Sequence, residues 1–240
     1  MLIKLKDFIK NWVYKIVPPP FENVTYSQAG EDGCVSFLFN QLAIYQPSFL
    51  ELGVCHPKNG SNTYRFYKNG GRGVLVEADK TQIEFIKTHR PEDKVINVGI
   101  SSGEEIEADF YVFELQGYNT FVKEEALYRE KNSPYKISRV EKVSLKTINE
   151  IIETNFKTFP DFLSIDIEGL DYEVLKSLDY NKYPIPVICA ETCAFSETHI
   201  KPKERMIEDL MLSKGYLVYA DTYINTIFVN EKWFNTISKK

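Results

Sequence analysis

Residues 48–71, SFLELGVCHPKNGSNTYRFYKNGG, constrain the fold of this chain more than any other stretch. A short apolar run there ends in an acid and a glycine, Glu51 and Gly53, and a polar loop follows. The aromatic segment after the loop predicts a helix that packs back on a sheet. This order of elements is typical of a buried parallel strand whose carboxyl end opens into a ligand crevice.

A second strand of the same kind follows. In GRGVLVEADK, the apolar residues 74–76 predict a buried strand that ends in Glu77. A strand with a glycine turn, followed by a strand that ends in an acid, is the layout of a nucleoside-binding α/β unit. In such a unit the acid accepts hydrogen bonds from the two ribose hydroxyls, and we predict this role for Glu77.

The loop after the first strand indicates which nucleoside ligand would suit this unit. Dinucleotide sites carry G-x-G-x-x-G, because the backbone must approach a pyrophosphate closely. Here Gly53 is followed by Val54 and Cys55, the next glycine is Gly60, and Glu51 would repel a pyrophosphate. An acid suits the ammonium and sulfonium groups of S-adenosylmethionine (SAM) instead. Ordinary sheet architecture also explains a buried strand with a terminal acid, so the loop alone leaves that interpretation open.

Composition limits the class of protein. With 240 residues, 43% of them apolar, the chain can form one sizeable α/β domain, which we place at residues 21–240. The net charge of −5 argues against a nucleic-acid binder, which presents a basic surface. We find no apolar run long enough to span a bilayer and no signal-peptide pattern, so we expect a cytoplasmic protein. In that compartment we expect buried free thiols at the four cysteines, Cys34, Cys55, Cys189 and Cys193.

Residues 1–17 stand apart from the predicted domain. Their apolar side chains recur at helical spacing, their lysines lie largely elsewhere, and prolines at residues 18–20 end the predicted helix. One interpretation is a helix that covers its own domain or a partner subunit, as in a homodimer. The other is a peripheral anchor on the inner face of the membrane, because the helix is basic, carries Trp12 and precedes a stiff linker.

Strand and helix patterns alternate over the rest of the chain and close with a hairpin. This alternation predicts an α/β fold with a doubly wound, mostly parallel sheet and one antiparallel strand. Two of the later buried strands end in acids, at residues 162–165 before Asp166 and at the strand that ends in Glu191. Residues 116–139 interrupt the alternation, and we predict a mobile, polar insertion there.

Four segments together resemble a known family. They are SQAGED at residues 27–32, FLELGVCHPKNGSNTYRFYKNGGRGVLVEAD at 49–79, NVGIS at 97–101 and DFLSIDIEGLDYEVLKSLDYNKYPIPVICAET at 161–192. Over nearly everything after Tyr26, the chain resembles FkbM-type SAM-dependent methyltransferases, a branch of the class I methyltransferases. Glu51 and Leu52 stand where the family usually has Asp and Ile, which keeps the charge. Val54 and Cys55 stand where it often has Ala and Asn, which changes the loop surface.

The resemblance implies a class I fold with seven strands and SAM bound across the carboxyl ends of the first two. The cofactor-binding residues that it implies are Glu51, Gly53, Ser61, Asn62 and Thr63 around the methionine moiety, Glu77 at the ribose, and Ala78, Asp79 and Asn97 around the adenine. Helix capping explains Ser61 and Asn62 equally well, and an Asn at a strand end is commonly a turn former.

Methyl transfer to a hydroxyl requires an aligned nucleophile and a group that takes its proton. Asp166, Glu168 and Glu191 follow adjacent predicted strands at the same rim as the cofactor. Such carboxylates supply a general base or bind a divalent metal ion, and the sequence leaves both roles open. Glu168 precedes Gly169, so capping of the next helix is a competing explanation for it.

Two histidines are the remaining candidates for proton transfer. A lone histidine is more commonly a loop residue than a base. His56 ranks above His199, because with Pro57 beside it His56 matches a form that the family loop often takes. The catalytic residues we predict are therefore Asp166, Glu191 and His56.

These observations predict a SAM-dependent methyltransferase that methylates a hydroxyl of a sugar, a polysaccharide or a small natural-product-like acceptor. Only the family resemblance points to a sugar. One alternative is a SAM-binding partner subunit that has lost catalysis, which the retention of Asp166 and Glu191 does not favour. The other is a nucleotide-sugar or dinucleotide enzyme on a similar fold, which the missing G-x-G-x-x-G does not favour.

Overall fold

The computed structural model describes residues 24–193, 203 and 205–237. Its helices are α1 (Glu31–Gln41), α2 (Tyr64–Lys68), α3 (Ile83–His89), α4 (Lys123–Asn132), α5 (Ile148–Asn155), α6 (Asp171–Ser177), α7 (Arg205–Ser213) and α8 (Glu231–Ile237). Its strands are β1 (Ser48–Leu52), β2 (Arg72–Val76), β3 (Lys94–Ile96), β4 (Gly99–Ser101), β5 (Glu107–Phe113), β6 (Ile137–Thr147), β7 (Phe162–Ile165), β8 (Val187–Glu191), β9 (Tyr216–Asp221) and β10 (Asn225–Asn230).

The main sheet has seven strands in the order β3-β2-β1-β7-β8-β10-β9. The pairs from β3 to β8 are parallel, whereas β10 runs antiparallel to both of its neighbours, β8 and β9. Leu52 pairs with Val76 on one side and with Ile165 on the other, so β1, β2 and β7 end at the same edge of the sheet. The predicted fold, a mostly parallel sheet with one antiparallel strand, is confirmed.

Helices cover both faces of this sheet, so its central strands are buried along nearly their whole length. On one face Leu50 of β1 belongs to an apolar cluster with Ile151 of α5 and Met211 of α7. On the other face Phe162 of β7 belongs to a cluster with Phe39 of α1, whose ring centroid lies 6.5 Å away. The core therefore fixes the strand ends, and the loops that follow them are free to form a site.

A second sheet, in the order β4-β6-β5, was not predicted. Its two long strands pair antiparallel from Glu107 opposite Ser144 to Phe113 opposite Ile137. The segment between them is the one in which we predicted a mobile, polar insertion. It contains α4, and its Thr120 is buried and pairs with Tyr111 of β5.

Some sequence predictions concern residues that the structure does not describe. The helix predicted at residues 1–17, its proline linker and His199 all fall outside the described residues. None of the helices in the described ranges combines the length and the apolar composition needed to cross a membrane. The four cysteines, all within the described residues, form no disulfide; Cys189 and Cys193 are buried, whereas Cys34 is half-buried and Cys55 is exposed, contrary to our expectation for these two.

Candidate functional site

The carboxyl ends of β1, β2, β7 and β8 open into a cavity of about 430 Å³. Most of the predicted site residues line it: Glu51, Gly53, Asn62, Glu77, Ala78, Asp79, Asp166, Glu168 and Glu191. Four predicted residues, Ser61, Thr63, Asn97 and His56, are not part of the lining. The structure thus brings the strand-end acids together in one cavity. The other four residues lie outside its lining.

The turn after β1 needs a glycine at residue 53. Gly53 has a φ of +81°, and a Cβ atom built on it would lie 1.8 Å from the carbonyl oxygen of Asp166. Its N–H donates to the carbonyl oxygen of Val76 at 3.0 Å. No larger residue fits there without moving the backbone, because Cβ atoms do not approach so closely. Gly53 therefore allows the end of β1 to lie directly against the end of β7.

Glu77 lies inside the loop where we predicted the ribose. Its side chain is buried, and its carboxylate accepts hydrogen bonds from the N–H of Cys55 at 2.9 Å and of Asp79 at 2.7 Å. Burial raises the pKa of Glu77, and these backbone hydrogen bonds lower it. Asn97 donates its amide to the carbonyl oxygens of Glu77 and Ala78, at 2.8 and 2.9 Å. Asn97 therefore shapes the loop from outside the cavity.

Asp79 is buried beside Glu77 and makes two kinds of contact. It accepts hydrogen bonds from the backbone and hydroxyl of Thr81, at 3.0 and 2.7 Å, which is the geometry of an Asx turn. The guanidinium of Arg139 on β6 lies 2.8 Å from the same carboxylate oxygen. This ion pair connects the second sheet to the loop after β2.

Glu51 is buried and belongs to a polar network beneath the cavity. Its carboxylate accepts hydrogen bonds from the hydroxyls of Ser61 at 2.9 Å and Thr63 at 2.6 Å. The fully buried Arg90 lies 3.6 Å from the same carboxylate and 2.7 Å from Asp93. Burial raises the pKa of Glu51, and Arg90 and the two hydroxyls lower it. Ser61 and Thr63 thus contact Glu51 and not the cavity.

Sequence reasoning missed Arg90. Besides its carboxylate partners, the guanidinium donates to the hydroxyl of Thr63 at 2.9 Å and to the carbonyl oxygen of Pro57 at 3.2 Å. It connects the end of α3 with the loop after β1, which carries the predicted methionine site. The segment THRPEDK contains no motif that sets this arginine apart from a solvent-exposed one.

Asp166, Glu168 and Glu191 form what we term the acid rim, at the ends of β7 and β8. Burial first, and then the neighbouring carboxylates, raise the pKa of Asp166 and Glu191 well above the ordinary range. Helix capping, the competing explanation for Glu168, is not observed, because Leu170 occupies the N-cap position of α6 and no side chain in the described ranges caps that helix. The carboxylate of Asp171 accepts from the N–H of Ile167 at 3.2 Å and of Gly169 at 3.3 Å.

A buried arginine from the inserted segment reaches the acid rim. Arg129 of α4 donates to the carboxylates of Glu168 at 2.9 Å and Glu125 at 3.0 Å, and to the carbonyl oxygen of Tyr118 at 3.2 Å. The hydroxyl of Thr120 donates to the carbonyl oxygen of Glu168. The backbone of Glu168 is in the left-handed region, with a φ of +56°. The inserted segment is therefore part of the site.

The structure does not bring His56 to the cavity. Its Nδ1 accepts hydrogen bonds from the backbone N–H groups of Lys58 at 3.0 Å and Asn59 at 2.9 Å. The ring packs against Phe85 of α3 with the centroids 5.4 Å apart. These contacts are those of a histidine that stabilises its own loop, the alternative that we noted for a lone histidine.

The sequence left open whether the acid rim binds a divalent metal ion. Across residues 24–193, 203 and 205–237, no group of three or more His, Cys, Asp or Glu side chains has an arrangement that could bind a metal ion.

Several lining residues were not predicted as site residues. Gln28 belongs to the SQAGED segment, where Asp32 accepts from the hydroxyl of Ser27 at 3.0 Å and Ser27 pairs with Gly60 of the loop after β1. Through Gln28, the segment therefore forms part of the cavity wall. Its sequence match alone did not reveal this position. The other unpredicted lining residues include Asn59, Ser164, Tyr118, Asn119, Thr120 and Phe121.

Comparison with known proteins gives one family match. Residues 51–218, from β1 into β9, match the model of the methyltransferase FkbM domain, and no curated protein sequence matches the chain. Among solved structures, the chain is similar to a putative caffeoyl-CoA O-methyltransferase from Staphylococcus aureus, with a TM-score of 0.45, 13% identity, and 95% of this chain and 97% of that chain covered. It is also similar to an O-methyltransferase from Bacillus cereus in complex with S-adenosylhomocysteine (SAH), with a TM-score of 0.42, 12% identity, and 92% and 95% covered. Because the family model matches well over half of its length, the chain belongs to the FkbM methyltransferase domain family.

Proposed function

We propose that this protein is a SAM-dependent O-methyltransferase that methylates a hydroxyl of a sugar, a polysaccharide or a small natural-product-like acceptor. One observation carries the proposal: a single cavity contains both Glu77, at the end of β2, and the acid rim, at the ends of β7 and β8. A nucleoside site and a set of candidate bases thus share one space. Methyl transfer requires this arrangement, because donor and acceptor must meet in line.

The half of the cavity at β2 suits the adenosyl group. Glu77 offers a carboxylate for the ribose hydroxyls, and charge-assisted hydrogen bonds of this kind are stronger than those to a neutral group. Ala78, Val98, Ile100 and Phe110 give the lining beside it an apolar surface for a purine ring. When bound, SAM would supply an electrophilic methyl group on a positively charged sulfonium. Nearby carboxylate side chains favour that positive charge.

The half of the cavity at β7 and β8 suits proton transfer from a hydroxyl. Asp166 and Glu191 line it, and a carboxylate at either position is a candidate general base for the acceptor hydroxyl. In our proposal Asp166 removes the proton of the acceptor hydroxyl, with Glu191 beside it. The presence of both acids supports an active enzyme over a subunit without catalysis.

The charge of the cavity supports a neutral acceptor. Six acidic residues line it, Glu51, Glu77, Asp79, Asp166, Glu168 and Glu191, and no Lys, Arg or His of the described chain does. A phosphate or pyrophosphate would find no Lys, Arg or His among these lining residues to pair with its charge. This lining supports a hydroxyl of a neutral molecule and counts against the nucleotide-sugar and dinucleotide alternatives. The preference for a sugar rests on family resemblance.

The test is ligand binding measured by calorimetry with SAM, SAH, NADH and UDP-glucose. We expect the wild type to bind SAM and SAH and neither of the other two. Glu77→Gln loses the charge, and it also faces two backbone N–H donors with an amide. The variant should therefore weaken SAM by roughly 1.5–3 kcal/mol, the range for a hydrogen bond to a charged group. Glu84→Gln, on the exposed side of α3, is the matched control and should bind as the wild type does. A wild type that binds NADH or UDP-glucose but no SAM or SAH would disprove the proposal.

A further inference from the structure

We propose that Asn62 binds the α-ammonium group of SAM through its side-chain oxygen. This inference rests on the proposed function and deepens it, because it assigns the recognition of the amino acid part of the ligand to one atom of the chain. Three features support this assignment: an unpaired buried oxygen, its position relative to the sheet, and the hydrogen-bond donors that SAM carries.

The Asn62 side chain has one paired and one unpaired end. Asn62 is 7% exposed and lines the cavity. Its Nδ2 lies 3.0 Å from the hydroxyl oxygen of Ser164 and 3.7 Å from the sulfur of Cys189, to both of which it donates. Its Oδ1 is buried and has no hydrogen-bond partner. A buried amide oxygen without a donor is unfavourable, so a lining residue with such an oxygen points to a ligand that supplies one.

The neighbours of Asn62 show where its side chain lies relative to the sheet. In the sheet, Ser164 of β7 lies beside Glu51 of β1 and Cys189 of β8. The amide therefore lies beneath the ends of β1, β7 and β8. Glu77 follows β2, on the opposite side of β1. With the ribose at Glu77, the part of SAM that extends toward β7 is the methionine moiety.

The chemistry of that moiety leaves one donor. Its carboxylate only accepts hydrogen bonds, and its sulfonium carries no N–H or O–H. The ammonium group carries three N–H donors and a positive charge. The ammonium is therefore the group that an unpaired amide oxygen would bind.

Glu51 was the residue that the sequence pointed to for this moiety, but its contacts serve another purpose. One carboxylate oxygen accepts from Ser61 and the other from Thr63. The cation of Arg90 lies 3.6 Å from it and offsets its charge. Asn62 has no such competing partners at Oδ1, so we assign the ammonium to Asn62.

The experiment compares two ligands that differ by the amino acid part. SAH carries the ammonium, whereas 5′-methylthioadenosine has a methyl group in place of the whole amino acid chain. We expect Asn62→Leu to weaken SAH by roughly 10–100-fold, the range for a lost hydrogen bond to a charged group, and to leave methylthioadenosine unchanged. Asn62→Asp keeps an acceptor at this position and should bind SAH about as tightly as the wild type does.

Asn155→Leu is the matched control. Asn155 also has a buried Oδ1 without a partner, but it lies outside the cavity lining, so its SAH affinity should equal that of the wild type. Equal weakening of both ligands by Asn62→Leu would mean a structural role and overturn the inference, as would unchanged SAH binding. If Asn62→Asp loses SAH as strongly as Asn62→Leu does, the amide N–H donates to the ligand carboxylate and the ammonium assignment is wrong. A wild type that binds neither ligand would instead disprove the proposed function, and this inference with it.

Discussion

Arg90 and Glu51 form a buried ion pair beneath the candidate cofactor site, with Nη1 of the arginine 3.6 Å from Oε2 of the glutamate. Asp93 shares the same guanidinium at 2.7 Å, and both arginine and aspartate side chains are fully buried. One cation thus offsets two buried carboxylates, and it does so at the loop that follows β1. Both the stability of the fold and the binding of the cofactor should therefore depend on Arg90.

We expect Arg90→Met to lower the free energy of unfolding by about 3–5 kcal/mol, because it leaves buried carboxylates without their cation. Chemical denaturation measures this loss. The double variant Arg90→Met/Glu51→Gln should recover part of it, since one of the two carboxylates is then neutral. Arg72→Met is the control, because the Arg72–Glu92 pair is solvent-exposed and such pairs contribute less than about 1 kcal/mol. Equal losses for Arg72→Met and Arg90→Met would contradict the prediction.

Gly53→Ala should damage the site through a backbone clash. The added Cβ would lie 1.8 Å from the carbonyl oxygen of Asp166, so the turn after β1 or the end of β7 must move. We expect a lower Tm in thermal unfolding and weaker SAH binding in calorimetry. Gly215→Ala separates the two causes, because Gly215 has the same φ of +81° but open space around its Cβ position. The control should lose only the backbone term of roughly 1 kcal/mol and keep its SAH affinity.

Arg129→Met should loosen the inserted segment from the acid rim. The variant removes the hydrogen bonds to Glu168, Glu125 and the Tyr118 carbonyl, so α4 loses its buried polar anchor. Hydrogen exchange should then become faster in residues 116–132 and stay unchanged in β1 and β2. Arg205→Met, at an exposed pair on α7, is the control and should leave exchange in the segment as it is. Unchanged exchange in Arg129→Met would show that α4 is stabilised by other contacts.

These two arginines mark the boundary of what the sequence could predict. Gly53, Glu77, Asp166 and Glu191 were found because strand ends carry a local pattern, an apolar run followed by a glycine or an acid. The partners of Arg90 and Arg129 lie on other elements, and only the folded chain brings them together.

The same limit explains why the second sheet and helix α4 were not predicted. The pairing of β5 with β6 spans the segment that contains α4, and α4 itself has a polar sequence with a narrow buried stripe at Ala126 and Arg129. Such a helix resembles a loop by composition. The contribution of the inserted segment to the site, through Thr120 and neighbouring residues, depends on tertiary contacts that carry no local signal.

Glu191→Gln should stabilise the protein in a pH-dependent way. Burial and the neighbouring acids raise the folded-state pKa of Glu191 above its unfolded value, which is about 4.3. Between these two pKa values the unfolded state binds fewer protons than the folded state, so stability falls as the pH rises above the unfolded pKa. The variant removes this loss, and its gain in Tm over the wild type should be larger at pH 8 than at pH 4. Each kcal/mol recovered corresponds to about 2–4 °C for a chain of this size.

A suitable control for the pH series is Glu173→Gln, since Glu173 is exposed on α6 and forms an exposed ion pair with Lys176. Its Tm difference from the wild type should be small and equal at both pH values. If Glu191→Gln shows the same gain at pH 4 and pH 8, the effect comes from packing and not from the ionisation of Glu191.

Asp166→Asn tests the acid rim as the place of proton transfer. We expect turnover, measured with methyl-labelled SAM and an acceptor extract, to fall by roughly 10²–10⁴-fold, the usual contribution of a general base. SAH affinity should stay close to that of the wild type, because in our proposal Asp166 contacts the acceptor. Glu173→Gln again provides an exposed control with wild-type turnover.

Two further measurements separate the roles open to the acid rim. A chelator should leave turnover unchanged if Asp166 acts as a base, and should abolish it if the acid rim binds a metal ion. The second measurement is the binding of sinefungin, which requires no acceptor. Sinefungin carries an amine where SAM carries the transferred methyl group. The wild type should bind it more tightly than SAH, because the amine meets the carboxylates of the acid rim, and Asp166→Asn should reduce that preference. If the variant keeps full turnover and the full preference for sinefungin, the proton is removed elsewhere in the cavity.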